Sequence, residues 1–135
     1  MTLIIADTSG LYALVDRKDP HHAQAVAFFK THAAAGSLLV SNHVFDETMT
    51  TVKTRLGMQV ALQLGLRLRN SRFIELVTFS QAEEQETWRI FSRYSDKNWS
   101  YTDCACLALA QQRNIQQAFS FDHHFVQMGL QVSSQ

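Results

Sequence analysis

Leu3-Ile4-Ile5-Ala6-Asp7-Thr8-Ser9 decides how this chain is read. Four apolar residues in succession suit a strand covered on both faces, as in a parallel sheet. Asp7 follows at once, where the strand ends. Near the other end, Ala118-Phe119-Ser120-Phe121 runs into Asp122 in the same way. In an open parallel sheet, ligands and reacting groups gather outside the carboxyl ends of the strands. The two acids, from opposite ends of the chain, are therefore expected at one edge of one sheet. Carboxylates held together repel unless a proton or cation lies between them, which points to a divalent metal. Each acid alone is explained as well by capping the turn or helix that follows it; together, at equivalent strand ends, they favour a site.

Working outward, strands alternate with helices. Asp19-Pro20 reads as a helix N-cap with proline at the first helical position, and the helix carries Ala25, Phe28, Phe29 and His32-Ala33 until Gly36 ends it. Ser37 to Val40 is a strand. A helix from Ser41 or Asn42 bears Phe45, Met49, Val52 and Leu56 before Gly57 breaks it. Met58 to Asn70 is a further helix with Val60, Leu64 and Leu68 on one face and Leu62 and Leu66 on another. Phe73 to Phe79 alternates as a strand does, and Ser80 with Glu83 forms a capping box for a helix bearing Trp88, Phe91 and Tyr94. Thr102 to Arg113 is almost wholly apolar and should lie at the centre, residues 117–121 form a strand, and Leu130 to Val132 a last short one. The expected fold is α/β, with a mainly parallel sheet covered on both faces.

At 135 residues the chain has the length of a single domain, residues 1–135, and its 46% hydrophobic and 18% charged residues allow a full core. No apolar run is long enough to span a bilayer and no leader pattern opens the chain, so no membrane partner and a cytoplasmic location are expected. Cys104 and Cys106 make no disulfide framework and read as small core residues. The formal net charge is zero, which excludes binding nucleic acid through a global basic excess. A local patch would have to serve, drawn from Arg67, Arg69 and Arg72 with Lys53 and Arg55 near in sequence, and a plain solvated helix face explains these residues equally.

Two more acids enter the reading. Asp103, in Ser100-Tyr101-Thr102-Asp103, opens the apolar helix. It either caps that helix or is presented as an anion stabilised by the helix dipole. Asp46-Glu47 lies in the helix after the second strand, and periodicity does not choose between the two.

The pattern as a whole resembles PIN domains. Ile5-Ala6-Asp7-Thr8-Ser9, then Glu47, then Ser100-Tyr101-Thr102-Asp103, then Phe119-Ser120-Phe121-Asp122-His123-His124-Phe125 with Gly129 follow the family's order across the chain, nearest to VapC-like toxins of toxin–antitoxin pairs. The resemblance implies a three-layer α/β/α fold. It also implies an acidic cluster of Asp7, Glu47, Asp103 and Asp122 that binds Mg²⁺ or Mn²⁺ and cuts RNA, single-stranded or structured. It selects Glu47 over Asp46. Thr8, Ser9 and Thr102 become polar supports, and Asp96 an additional loop acid. His123 stands where relatives often carry Arg. The same resemblance implies a homodimer and a small cognate antitoxin covering the acidic site.

The chemistry is consistent with the ligand types, because carboxylate oxygens are hard donors suited to Mg²⁺ or Mn²⁺ and no soft thiolate site is present. Adjacent histidines such as His21-His22 and His123-His124 are expected to serve as surface or supporting residues rather than to share one ion. A phosphatase using Asp7 as nucleophile lacks the second aspartate two residues on, where Ser9 stands. A PIN-like module that binds RNA or a partner without turnover is the remaining alternative. The two apolar faces of the Met58–Asn70 helix suggest that one of them meets another chain.

Overall fold

Consecutive residues are buried at the carboxyl ends of the first two strands: Ile4, Ile5 and Ala6 of the first are all in the core, as are Leu38 to Ser41 of the second. Neither strand has a solvent face, so helices must cover the sheet on both sides. The computed structural model describes residues 2–32 and 36–133. Its elements are β1 (Thr2–Ala6), α1 (Thr8–Val15), α2 (His22–His32), β2 (Gly36–Ser41), α3 (Asn42–Leu56), α4 (Met58–Asn70), β3 (Ile74–Val77), α5 (Gln81–Arg93), α6 (Tyr101–Arg113), β4 (Gln117–Phe119), α7 (His123–Gln127) and β5 (Gln131–Val132).

All the strands pair in parallel, in the order β3-β2-β1-β4-β5. The chain winds outward from β1 through β2 to β3, then returns to the other side of β1 for β4 and β5. The order reverses between β1 and β4, so the crevice for a ligand lies at their carboxyl ends. Ala6 pairs with Phe119 there, and the Asp7 N–H donates to the Phe119 carbonyl at 3.1 Å. Gly10 lets α1 rest on that strand end: a Cβ at this position would stand 2.3 Å from the Phe119 carbonyl oxygen.

Helix α6 is the central helix, buried from Asp103 to Ala110, and both cysteines are free and buried within it. Burial pushes the Cys104 thiol up to about 11 and holds that of Cys106 well above its ordinary range. Among the described residues no helix is long and apolar enough to cross a membrane.

Several local expectations need correction. Gly36 does not end a helix; it opens β2, paired with Thr2, and Ala33 lies outside the described residues. Asp19 caps a turn rather than a helix, accepting from the His21 N–H at 2.8 Å, and α2 begins at His22. The buried stripe of α3 is Val44, Thr48 and Val52, one position back from Phe45 and Met49, which are only half-buried. On α5 the core side is Thr87 and Ile90, whereas Trp88 and Phe91 are exposed. The capping box of Ser80 with Glu83 is present as expected.

Helix α4 divides its leucines sharply. Leu64 and Leu68 are each 2% exposed, against 58% for Leu62 and 59% for Leu66. With Met58, Phe45 and Met49, the outer leucines line an open apolar groove between α3 and α4.

Candidate metal centre and active site

Asp7 leaves β1 as the N-cap of α1, and that position fixes its carboxylate. Its Oδ2 accepts three hydrogen bonds, from Ser9 Oγ at 2.7 Å, Ser120 Oγ at 3.0 Å and the Ser9 N–H at 3.3 Å. Oδ1 takes part in none of these. The same two serines hold the loop after β4, since Ser9 Oγ accepts from the Phe121 N–H and Ser120 Oγ from the Asp122 N–H, both at 3.0 Å.

Asp103 is tied in the same one-sided way. Ser100 Oγ accepts from the Asp103 N–H at 3.0 Å, and Asp103 Oδ2 accepts from the Ser100 N–H at 3.0 Å. His124 Nδ1 donates to that same Oδ2 at 2.9 Å. Asp122, the N-cap of α7, uses Oδ1 to accept from the His124 N–H at 3.0 Å. Three helix starts thus aim three aspartates at one place. Each carboxylate is held through one oxygen, leaving the other out of these bonds.

The place is an open cavity of about 580 Å³ whose walls include Asp7, Glu47, Asp103 and Asp122. Burial drives the Asp7 carboxyl up to about 6; the Ser9 hydrogen bond opposes the shift and the charge of Asp103 adds to it. A cation in the cavity would relieve both burdens. The oxygen donors suit a hard divalent ion that keeps several of its waters, and the size of the cavity leaves room for them. The tightest group of metal-type ligand atoms among the described residues is Asp122, His123 and His124, which fall within 4.8 Å of one another. The four acids converge on the cavity without closing to that spacing.

The adjacent histidines therefore come nearer to sharing a centre than expected, because the first turn of α7 folds both rings toward Asp122, with Nδ1 atoms 3.6 and 3.4 Å from Oδ1. They differ in setting. The His124 side chain is mostly buried between Asp103 and Asp122, while His123 is open to solvent.

The sequence matches the family described as PIN domain over residues 4–130. This chain belongs to the PIN domain family. It is similar to the 23S rRNA-specific endonuclease VapC20 of Mycobacterium tuberculosis, 29% identical over 128 residues that cover 94% of this chain and 95% of that protein. Ribonuclease VapC26 of the same organism is 31% identical over 123 residues, covering 90% and 89%. The crystal structure of VapC20, described as a sarcin-ricin loop cleaving toxin, superposes with a TM-score of 0.87 at 26% identity, over 94% of this chain and 95% of that one. The VapBC2 structure from Rickettsia felis, at 12% identity over 97% of each chain and a TM-score of 0.74, shares the fold.

Within this PIN fold the expected residues separate. Asp7, Thr8, Ser9, Glu47, Asp103, Asp122 and His123 all line the cavity, and Asp46 does not. Thr102 is not among its walls, and Asp96 is exposed beside Lys97, at 3.5 Å, rather than in the cavity. Asp122 is not placed as Asp7 is: β4 stops at Phe119, so Ser120 holds the strand-end position and Asp122 comes two residues later at a helix start.

The sequence assigns no role to Ser120, and the resemblance singles out His123 while His124 reads only as a surface or supporting residue. Asp19, expected as a helix cap, and His21, expected as a surface or supporting residue, also line the cavity, with the His21 ring stacked on Phe121 at 4.5 Å. The Asp-x-His spacing at a helix start was the available signal for His124. Ser120 carried none until β4 was set in register with β1.

Proposed function

We propose that this PIN protein is a metal-dependent endoribonuclease and the toxin of a toxin–antitoxin pair. The observation that carries the reading is the cavity at the switch point of the sheet, where three aspartates each bind the protein through one oxygen and keep the other out of that network. The likeness to VapC20 and VapC26 over nearly the whole chain supports the reaction, as does membership of the PIN family.

Asp7, Asp103 and Asp122 would hold the cation, Mg²⁺ or Mn²⁺, and His124 would orient Asp103 and Asp122. When bound, the ion supplies Lewis acidity toward a phosphate oxygen and makes nearby water more acidic. Glu47 accepts the proton of the attacking water. The water oxygen bonds to phosphorus as the bond to the 3′ oxygen breaks, and solvent protonates that oxygen. The fragments then carry a 5′-phosphate and a 3′-hydroxyl.

The named target of VapC20 makes ribosomal RNA the first substrate to test, beside a mixed single-stranded RNA. Cleavage with Mn²⁺ or Mg²⁺, silence in EDTA and 5′-phosphate ends are expected. Robust cutting in EDTA, or ends bearing a cyclic phosphate, would remove the mechanism.

The outer face of α4 is read as the surface for a second copy of the chain, and the acidic cavity as the target of a basic side chain from the antitoxin. The variants that test the dimer are Leu62→Arg and Leu66→Arg, which sedimentation should show shifting dimer to monomer. Leu64→Arg and Leu68→Arg, although on the same helix, place a charge in the core and report on folding instead.

A further inference from the structure

The cavity has a second wall that the reaction above uses only in part. Glu47, Thr51 and Arg55 are spaced by four residues along α3, and all three line the cavity. At 1.5 Å per residue, Glu47 and Arg55 stand about 12 Å apart along the helix. Arg55 is the only Lys or Arg among the lining residues, in a cavity that also holds Asp7, Asp19, Glu47, Asp103 and Asp122. Its guanidinium lies over the Tyr12 ring, 5.2 Å from the centroid, and Tyr12 is itself fixed by its hydroxyl donating to Asp16 Oδ2 at 2.6 Å. Among the described residues Arg55 forms no ion pair, whereas Arg89 and Arg113 each have a glutamate partner.

An RNA strand approaching five carboxylates is repelled, and cations at the cutting point offset that only locally. We propose that Arg55 binds a backbone phosphate flanking the one that is cut, so that the strand lies along the Glu47–Thr51–Arg55 face of α3. The inference rests on the ribonuclease reading. A guanidinium matches two phosphate oxygens at once, and the Tyr12 ring beside it gives this one a fixed neighbour at the cavity wall. This also resolves the basic patch in the sequence. Arg67 lies over Phe29 and Arg72 over Phe73, and neither lines the acidic cavity; Arg55 does.

The test uses full-length protein, purified ribosomal RNA for cleavage and a fluorescein-labelled mixed single-stranded RNA for binding across a salt series. Arg55→Ala should raise KM by about tenfold to a hundredfold, the worth of a charged hydrogen-bonded contact, with kcat nearly unchanged. The slope of log affinity against log salt should shrink by about 0.7, the share of one phosphate on a single strand. Arg55→Lys should restore the slope and part of KM. Melting temperature and Mn²⁺ affinity should stay at the wild-type values, as should KM in Arg67→Ala.

An unchanged KM and salt slope in Arg55→Ala would overturn the proposal, as would an equal loss in Arg67→Ala or a loss explained by a lower melting temperature. Failure of the wild-type protein to cut or bind RNA would instead overturn the ribonuclease reading on which it stands.

Discussion

The two walls of the cavity are built on different principles. On one side Asp7, Asp103 and Asp122 belong to helix starts, and hydrogen bonds from serines, a histidine and backbone N–H groups fix one oxygen of each. On the other, Glu47, Thr51 and Arg55 project from the side of one helix, with Glu47 and Arg55 exposed. Capping and ligand placement coincide on the first wall: the bonds that finish a helix also aim a carboxylate. Such a wall is ready for an ion before the ion arrives. The second wall has the length along one helix that a polymer substrate requires.

The largest effect should come from the fixed wall. Asp7→Asn, Asp103→Asn and Asp122→Asn should each cut RNA cleavage by more than about a hundredfold, beyond what losing a supporting partner costs, while the far-ultraviolet dichroism stays native. Near-normal rates in any one would remove that residue from the centre. On the α3 wall, Glu47→Gln should lower kcat by about a hundredfold, the scale of one general base, with Mn²⁺ affinity retained, and Asp46→Asn should behave as wild type. The reverse ranking would transfer the role to Asp46.

Support for the fixed wall should matter less than its ligands. His124→Ala removes the donor between Asp103 and Asp122, so Mn²⁺ should bind about tenfold more weakly. His123→Ala, open to solvent, should leave metal affinity as it was. Equal effects would show that both rings serve the ion.

The smallest effect is on the stability of the metal-free protein. Burial raises the Asp7 carboxyl in the folded state from its ordinary 3.8 to about 6, so the folded state holds this proton more tightly than the unfolded state. The unfolded chain loses the proton first as pH rises, and stability falls across that window. Above about 6 the cost levels off at roughly 3 kcal/mol, the upper bound from a shift of this size. Asp7→Asn should recover up to that much above pH 6 and nothing below about 4, measured by urea unfolding in EDTA. A variant less stable than wild type at the higher pH would mean that the three hydrogen bonds to Oδ2 outweigh burial.

The same contrast explains what the chain disclosed before its structure. Asp7 and Asp103 were legible because a local pattern announces each: an apolar strand stopping at an acid, and Ser100 three residues before Asp103. The alternation of strands and helices was legible for the same reason. Glu47 was not, since one helix position looks like its neighbour until the helix is rotated against the sheet; only the family resemblance chose it. Rotation also moved the core side of α3 from Phe45 and Met49 to Val44 and Thr48, and of α5 from Trp88 to Thr87. Ser120 and Arg55 depend on contacts across long stretches of chain, to Asp7 and Tyr12, which no local pattern encodes.

The most direct test of the central claim, that the three aspartates form a site for a divalent cation, is a calorimetric titration of Mn²⁺ into the wild-type protein and into Asp122→Asn, with melting temperatures taken alongside. Saturable binding to the wild type that raises its melting temperature is expected, with binding weakened more than about tenfold in the variant, whose metal-free melting temperature stays close to that of the wild type. Equal binding by the two proteins, or none by the wild type, would contradict the claim.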